Sequence, residues 1–248
     1  MVCPFATIYS TKPPSPTGNE RGCYNASMTQ LTEHFRNDNP DGLPPEVKTF
    51  LDERYLAKLP ELDISRPKLL VVFSGGNALG KTTLSRKIGA ELHGLVLEND
   101  AIKECLLERY PKMDRDVRNK LTWQYTMDLY QRLPDITGNG LVVRDGLIDW
   151  YFDRILPIFE RQGYPVFIIG YDVSREKNEQ MIRTRGDKPT IGIERMLRLI
   201  DEQQIHMQRF RKFYTPDIML TDNNLFDHDR VIDALTARLA RLQQHPNL

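Results

Sequence analysis

Between the apolar run Leu69 to Phe73 and a helical stripe that begins at Leu84 lies the stretch Ser74-Gly75-Gly76-Asn77-Ala78-Leu79-Gly80-Lys81-Thr82-Thr83. The run before it has the length and β-branched content of a buried strand, and Leu84, Ile88 and Leu92 recur at i, i+4 and i+8, so the glycines join a strand to a helix. The stretch satisfies G-x-x-x-x-G-K-[ST], the Walker A loop. Each residue type has a physical task. Gly75 and Gly80 let the backbone wrap an anion, the N–H groups through Gly76, Asn77, Ala78 and Leu79 and the helix start near Thr83 bind phosphate, Lys81 reaches the β/γ-phosphates, and the Thr82 hydroxyl holds Mg²⁺. A Gly-rich turn that merely joined strand to helix accounts for the glycines but not for Lys81 and Thr82. The expected cofactors are ATP and Mg²⁺.

Four further apolar runs have strand length: Leu95 to Leu97, Leu141 to Val143, Val166 to Ile169 and Ile218 to Leu220. Helical segments separate them; Val117, Leu121, Tyr125 and Leu129 recur at four-residue steps within Asp114 to Leu133, and Ile193 to Phe213 is similarly periodic. Alternation of this kind indicates an α/β fold with a parallel sheet. Upstream, Val47, Phe50, Leu51, Tyr55 and Leu59 mark a helix over Pro44 to Leu62 that starts on prolines. Residues 1–42, rich in proline and asparagine and poor in aliphatics, are expected to be a flexible tail, in which Lys12 to Pro16 suits a polyproline II docking peptide. The organisation read from the chain is therefore a tail over 1–42, a helical extension over 43–66 and a core domain over 67–248.

With 248 residues, 40% hydrophobic and 27% charged, the chain can build a substantial core and is no disordered polymer. No run approaches the roughly 20 apolar residues of a membrane helix, so no membrane partner is expected. Lysine plus arginine equals aspartate plus glutamate at 34 each, which gives no global field toward nucleic acid. Cys3, Cys23 and Cys105 form no CxxC pair, and no basic and apolar leader opens the chain; both point to a cytoplasmic protein.

Three more clusters carry chemistry. Glu98-Asn99-Asp100 closes the second strand on the carboxyl edge where open α/β sheets bind ligands. Asp100 there suits either a general base toward a hydroxyl or the N-cap of the next helix. Leu141-Val142-Val143-Arg144-Asp145-Gly146 has the form of a Walker B segment, in which Asp145 completes the Mg²⁺ site, although Asp145 and Asp100 could exchange roles. After the fourth strand come Arg175, Lys177, Arg183 and Arg185, with Gly186 placed to end a helix; these cations either neutralise transferring phosphate or complement the helix dipole.

With these clusters in this order, residues from about 67 to 224 resemble the P-loop kinases of the polynucleotide-kinase and zeta-toxin type, P-loop NTPases that also resemble small-molecule and antibiotic phosphotransferases. The resemblance implies a five-stranded parallel sheet in the order 2-3-1-4-5, flanked by helices, with the acceptor over the second and third strand ends. It puts the general base on Asp100. It makes Asn178 to Gly186 similar to a lid in which Arg183 and Arg185 close over ATP phosphates, and Pro216 to Asp222 similar to the last strand, near the adenine. The acceptor pocket would draw on Arg115, Arg118, Trp123, Tyr125 and Arg144. Where polynucleotide kinases tend to carry paired aspartates with an arginine soon after, this chain continues Ala101-Ile102-Lys103, which disfavours a nucleic-acid acceptor.

The expected function is an ATP- and Mg²⁺-dependent kinase that phosphorylates a hydroxyl of a small-molecule or nucleotide-like acceptor, with Lys81, Asp100, Arg183 and Arg185 in catalysis. The alternatives are a nucleotide-gated regulatory ATPase and a 5′-hydroxyl polynucleotide kinase. A GTP switch is the weaker regulatory form, since the chain has no N-K-x-D motif.

Overall fold

Strands rich in Val, Leu and Ile on both of their faces are soluble only when both faces are covered, and the chain meets that condition with a parallel sheet between two helical layers. A computed structural model describes residues 42–59, 66–137, 140–187 and 191–245. In chain order its elements are α1 (Pro45–Arg54), a 3₁₀ turn (Leu56–Lys58), β1 (Leu69–Ser74), α2 (Lys81–Leu92), β2 (Leu95–Glu98), α3 (Asn99–Arg109), α4 (Arg115–Thr137), β3 (Leu141–Leu147), α5 (Phe152–Arg161), β4 (Val166–Asp172), α6 (Arg175–Arg185), α7 (Ile193–Arg211), β5 (Ile218–Thr221) and α8 (His228–Gln244). The expectations for residues 1–41, including the tail and its proline segment, and for the helix beyond Leu59 lie outside the described residues.

The five strands pair in parallel in the order β2-β3-β1-β4-β5. Every residue of β1 is buried, as its central place requires. Alternate side chains divide the core: Leu70, Val72, Val142 and Ile168 pack with α1, α3, α4 and α5 on one face, while Leu69, Val71, Phe73, Val143 and Ile169 pack with α2 and α8 on the other. Glu98 of β2 lies opposite Asp145 of β3, which brings two carboxylates to the same edge. Along β1 the pairing runs Val71 with Val143 and then Phe73 with Leu147, so four residues of β3 advance against two of β1. Such a bulge re-aims side chains, and here it falls on Arg144, Asp145 and Gly146.

Two periodicity expectations are revised. The N-terminal helix ends at Arg54 rather than near Leu62. Leu121, Tyr125 and Leu129 of α4 are buried, but Val117 is 49% exposed; the adjacent stripe one residue on, Arg118, Thr122, Thr126 and Tyr130, is buried as well. Helix α1 packs into the main core through Phe50 and Leu51 and is tied to α4 by a Lys48–Asp128 ion pair, an Arg132–Asp52 pair at 2.9 Å and a Tyr125 hydroxyl donating to Asp52 at 2.8 Å. Residues Leu43–Leu248 form one compact unit. Among the described residues no helix is long and apolar enough to cross a membrane.

Candidate active site

The loop between β1 and α2 needs backbone conformations that side chains resist, which is why its glycines are where they are. Gly75 has φ +143°, and a Cβ there would lie 2.6 Å from Tyr171 Cβ, so only glycine lets β1 turn over β4. Ala78 and Gly80 also have positive φ, and Gly80 caps α2. Three side chains distant in sequence hold the loop in place. Asp149 accepts the Gly75 N–H at 2.7 Å, Gln203 Oε1 of α7 accepts the Asn77 N–H at 3.1 Å, and Asn178 Nδ2 of α6 donates to the Asn77 carbonyl at 2.7 Å.

Lys81 is buried at the start of α2, where its ammonium donates to the Gly76 carbonyl and lies 5.7 Å from the Tyr171 ring centroid. Burial lowers its pKa to about 8, with Asp145 and Asp149 pulling it upward and Arg185 pushing it further down. The cation of Arg185 is thus felt at Lys81. Arg183, in the same last turn of α6, is exposed and has no ion pair among the described residues. Gly186 ends the helix at φ +76°. Arg175 is committed elsewhere, to Glu179 at 2.9 Å and to Asp201.

Asp145 faces α2. Burial raises its pKa, opposed by the Thr82 hydroxyl and then by Lys81, while Glu98 and Asp100 add to the rise. The hydroxyl and the carboxylate together form a hard-oxygen donor pair beside the Walker loop, the chemistry that suits Mg²⁺. Glu98 is held by Arg86 through two contacts of 2.7 Å, and its N–H donates to the Tyr55 hydroxyl at 3.1 Å. Asp100 lies in the first turn of α3, where the N-cap position is Glu98, so Asp100 does not cap the helix. Its half-exposed carboxylate meets Lys103 at 3.2 Å.

Of the residues considered for the acceptor side, Arg115 points to solvent beside Asp116, and Tyr125 is consumed in the contact with α1. Trp123 packs against Tyr151 with ring centroids 4.3 Å apart and planes tilted by 38°. Arg118 and Arg144 are buried. Sequence reasoning assigned Asp149, Asn178 and Gln203 no role in holding the loop, although Asn178 opens the lid-like stretch and Asp149 follows Asp145 by four residues. Asp149 is 1% exposed, and burial raises its pKa to about 6 against the Ser74 hydroxyl, the Gly75 N–H, Lys81 and Arg211.

Comparison with known proteins bears on this geometry. A family model described as an AAA domain matches residues 70–210. No curated protein sequence matches the chain significantly. Among solved structures, the chain is similar to a candidate kinase from Chloroflexus aurantiacus J-10-fl, at 19% identity over 71% of this chain and 98% of that one with a TM-score of 0.52. It is also similar to a structure from the PezAT chromosomal toxin–antitoxin system of Streptococcus pneumoniae, at 14% identity over 72% of this chain and 76% of that one with a TM-score of 0.52. These likenesses establish a shared fold.

Proposed function

The chain belongs to the AAA domain family, and from its site we propose that it is a cytoplasmic ATP- and Mg²⁺-dependent kinase that moves the γ-phosphoryl group to a hydroxyl of a small-molecule or nucleotide-like acceptor. One observation carries the reading. Lys81, Thr82 and Asp145 meet at the carboxyl edge of β1 and β3, and Asp100 is close enough for its charge to act on Asp145. The kinase description of the Chloroflexus neighbour agrees with it.

On this reading the Walker loop binds the phosphates through its N–H groups, and Lys81 exchanges the Gly76 carbonyl for the β/γ-phosphates. Thr82 and Asp145 would hold Mg²⁺, which would supply positive charge to neutralise the phosphates. Asp100 takes the proton of the acceptor hydroxyl as that oxygen bonds to the γ-phosphorus and the bond to the β–γ bridging oxygen breaks, releasing ADP. Arg185 and Arg183 stabilise the charge that develops on the transferring group. Asp145 is assigned to the metal rather than to the base because the Thr82 hydroxyl already engages it on the α2 side.

The test is transfer from γ-labelled ATP to a cytoplasmic metabolite extract, nucleotide sugars and 5′-hydroxyl oligonucleotides. Lys81→Ala is expected to lower transfer by about 10²–10³-fold. Asp100→Asn should leave ATP binding intact and lower transfer by roughly 10²–10⁴-fold. Full activity in Asp100→Asn would remove the base assignment; ATP binding with no labelled product from any acceptor would remove the kinase reading.

A further inference from the structure

Arg144 stands at the carboxyl end of β3, opposite Leu97 and next to Asp145, within the bulge. Asp145 turns to α2, whereas the Arg144 guanidinium acts on the hydroxyls of Tyr130 in α4 and Tyr151 before α5, on the other face of the sheet. It is 2% exposed. It has no ion pair among the described residues, and its Nε and Nη1 find no hydrogen-bond partner; the Tyr130 hydroxyl is the polar group that engages it. Charges taken out of water are normally paired, and buried polar atoms are normally satisfied. The guanidinium is also seated rather than loose, because the backbone of Gly146 is so close that a Cβ there would lie 3.2 Å from Nη1.

The surroundings are built from polar residues where aliphatic ones are the rule. Arg118, Thr122, Thr126 and Tyr130 follow one another at four-residue steps on α4, all buried, and Arg118 Nε is a further buried donor without a partner. The Thr126 hydroxyl donates to Asn99 Oδ1 at 3.2 Å, so this stripe meets α3 beside Asp100. Arg118 and Arg144 are thus two buried cations on the side of the sheet that α4 covers, and among the described residues neither has an ion pair.

We propose that Arg144 receives an oxyanion, a phosphate or carboxylate, carried by the acceptor, so that the substrate is an alcohol already bearing an anionic group. The word acceptor rests on the kinase reading; the anion site does not. A permanently charged guanidinium hydrogen-bonds such a group strongly once water is excluded, and it discriminates against neutral alcohols, which leave it buried and unpaired.

The full chain, its Walker loop first saturated with the β,γ-imido analogue of ATP and Mg²⁺, is titrated by calorimetry with inorganic phosphate and separately with acetate. At least one anion is expected to bind the wild type at a further site, with at least tenfold weaker binding in Arg144→Met and partial recovery in Arg144→Lys; the tighter anion names the group. Without added anion, Arg144→Met should melt no lower than the wild type, because it removes an unpaired buried charge and keeps the volume. Absence of binding by either anion, binding unchanged in Arg144→Met, or an anion-free Arg144→Met that melts well below the wild type each overturns the proposal, the last by making the guanidinium a structural part of the core. The labelled-ATP assay separates this from the kinase reading. Products whose only acidic group is the transferred phosphate overturn the anion proposal and leave the kinase standing. An anion site with no labelled product does the reverse.

Discussion

A carboxylate sealed under the Walker loop ionises at a cost, and Asp149 is in that position, accepting the Gly75 N–H with almost no exposure to water. Its pKa in the fold is about 6, above the ordinary value of 3.8. The native state therefore binds more protons than the unfolded chain between those two values, and stability falls as pH rises through that window. The stabilising contribution is complete below pH 3.8 and lost above about 6. Asp149→Asn keeps an acceptor for Gly75 and removes the charge, so it should melt above the wild type at pH 7.5, by about 2–3 kcal/mol at most, and the gap should close toward pH 4. Melting curves of both proteins across that range decide it; a gap independent of pH would detach Asp149 from the loop's electrostatics. Lys81 and Thr82 were legible in the sequence because the Walker spacing is local and each residue type has one task there. Asp149 was not, because its partner is 74 residues away and an aspartate after a strand reads equally well as a turn.

At the scale of elements, the loop between β1 and α2 is clamped by α6 and α7 through one residue, Asn77, whose N–H goes to Gln203 and whose carbonyl takes Asn178. Those two helices also carry Arg185 and the stretch that resembles a lid, so loop geometry and lid position share a mechanical link. Gln203→Ala or Asn178→Ala should weaken binding of an ATP analogue by about 3–10-fold, since a net hydrogen bond contributes roughly 1 kcal/mol. Calorimetric titration measures this directly, and affinities within twofold of wild type in both variants would show that the clamp does not shape the loop. The strands were readable as apolar runs because a central parallel strand is buried on both faces. Helix α4 was readable as a helix and in the burial of Leu121, Tyr125 and Leu129, but not in its full buried face: Val117 continues the apolar stripe yet faces solvent, while the polar Arg118, Thr122 and Thr126 turn inward. Periodicity ranks residues by hydrophobicity, so a buried polar face is invisible to it.

Over the whole molecule, the strand order depends on which crossover goes to which side, and apolar runs do not encode that; the order 2-3-1-4-5 entered through the resemblance carried by the Walker loop and the clusters after it. The same limit hid how α1 is used. Leu51 is fully buried in the core formed with β1, α3, α4 and α5, and the Tyr55 hydroxyl accepts the Glu98 N–H at the end of β2, where Glu98 faces Asp145. An element so placed should not melt separately from the nucleotide site. Leu51→Ala leaves a cavity and should cost about 2–5 kcal/mol, a large share of the 5–15 kcal/mol that holds a typical domain together. Its urea transition should move to lower concentration as one curve with unchanged slope, and protection by an ATP analogue should vanish at the same midpoint. If loss of α1 instead produced an early partial transition that left nucleotide binding in place, α1 would be an appendage to the sheet. A single shifted transition makes it part of the layer that sets the edge on which Glu98, Asp100 and Asp145 stand.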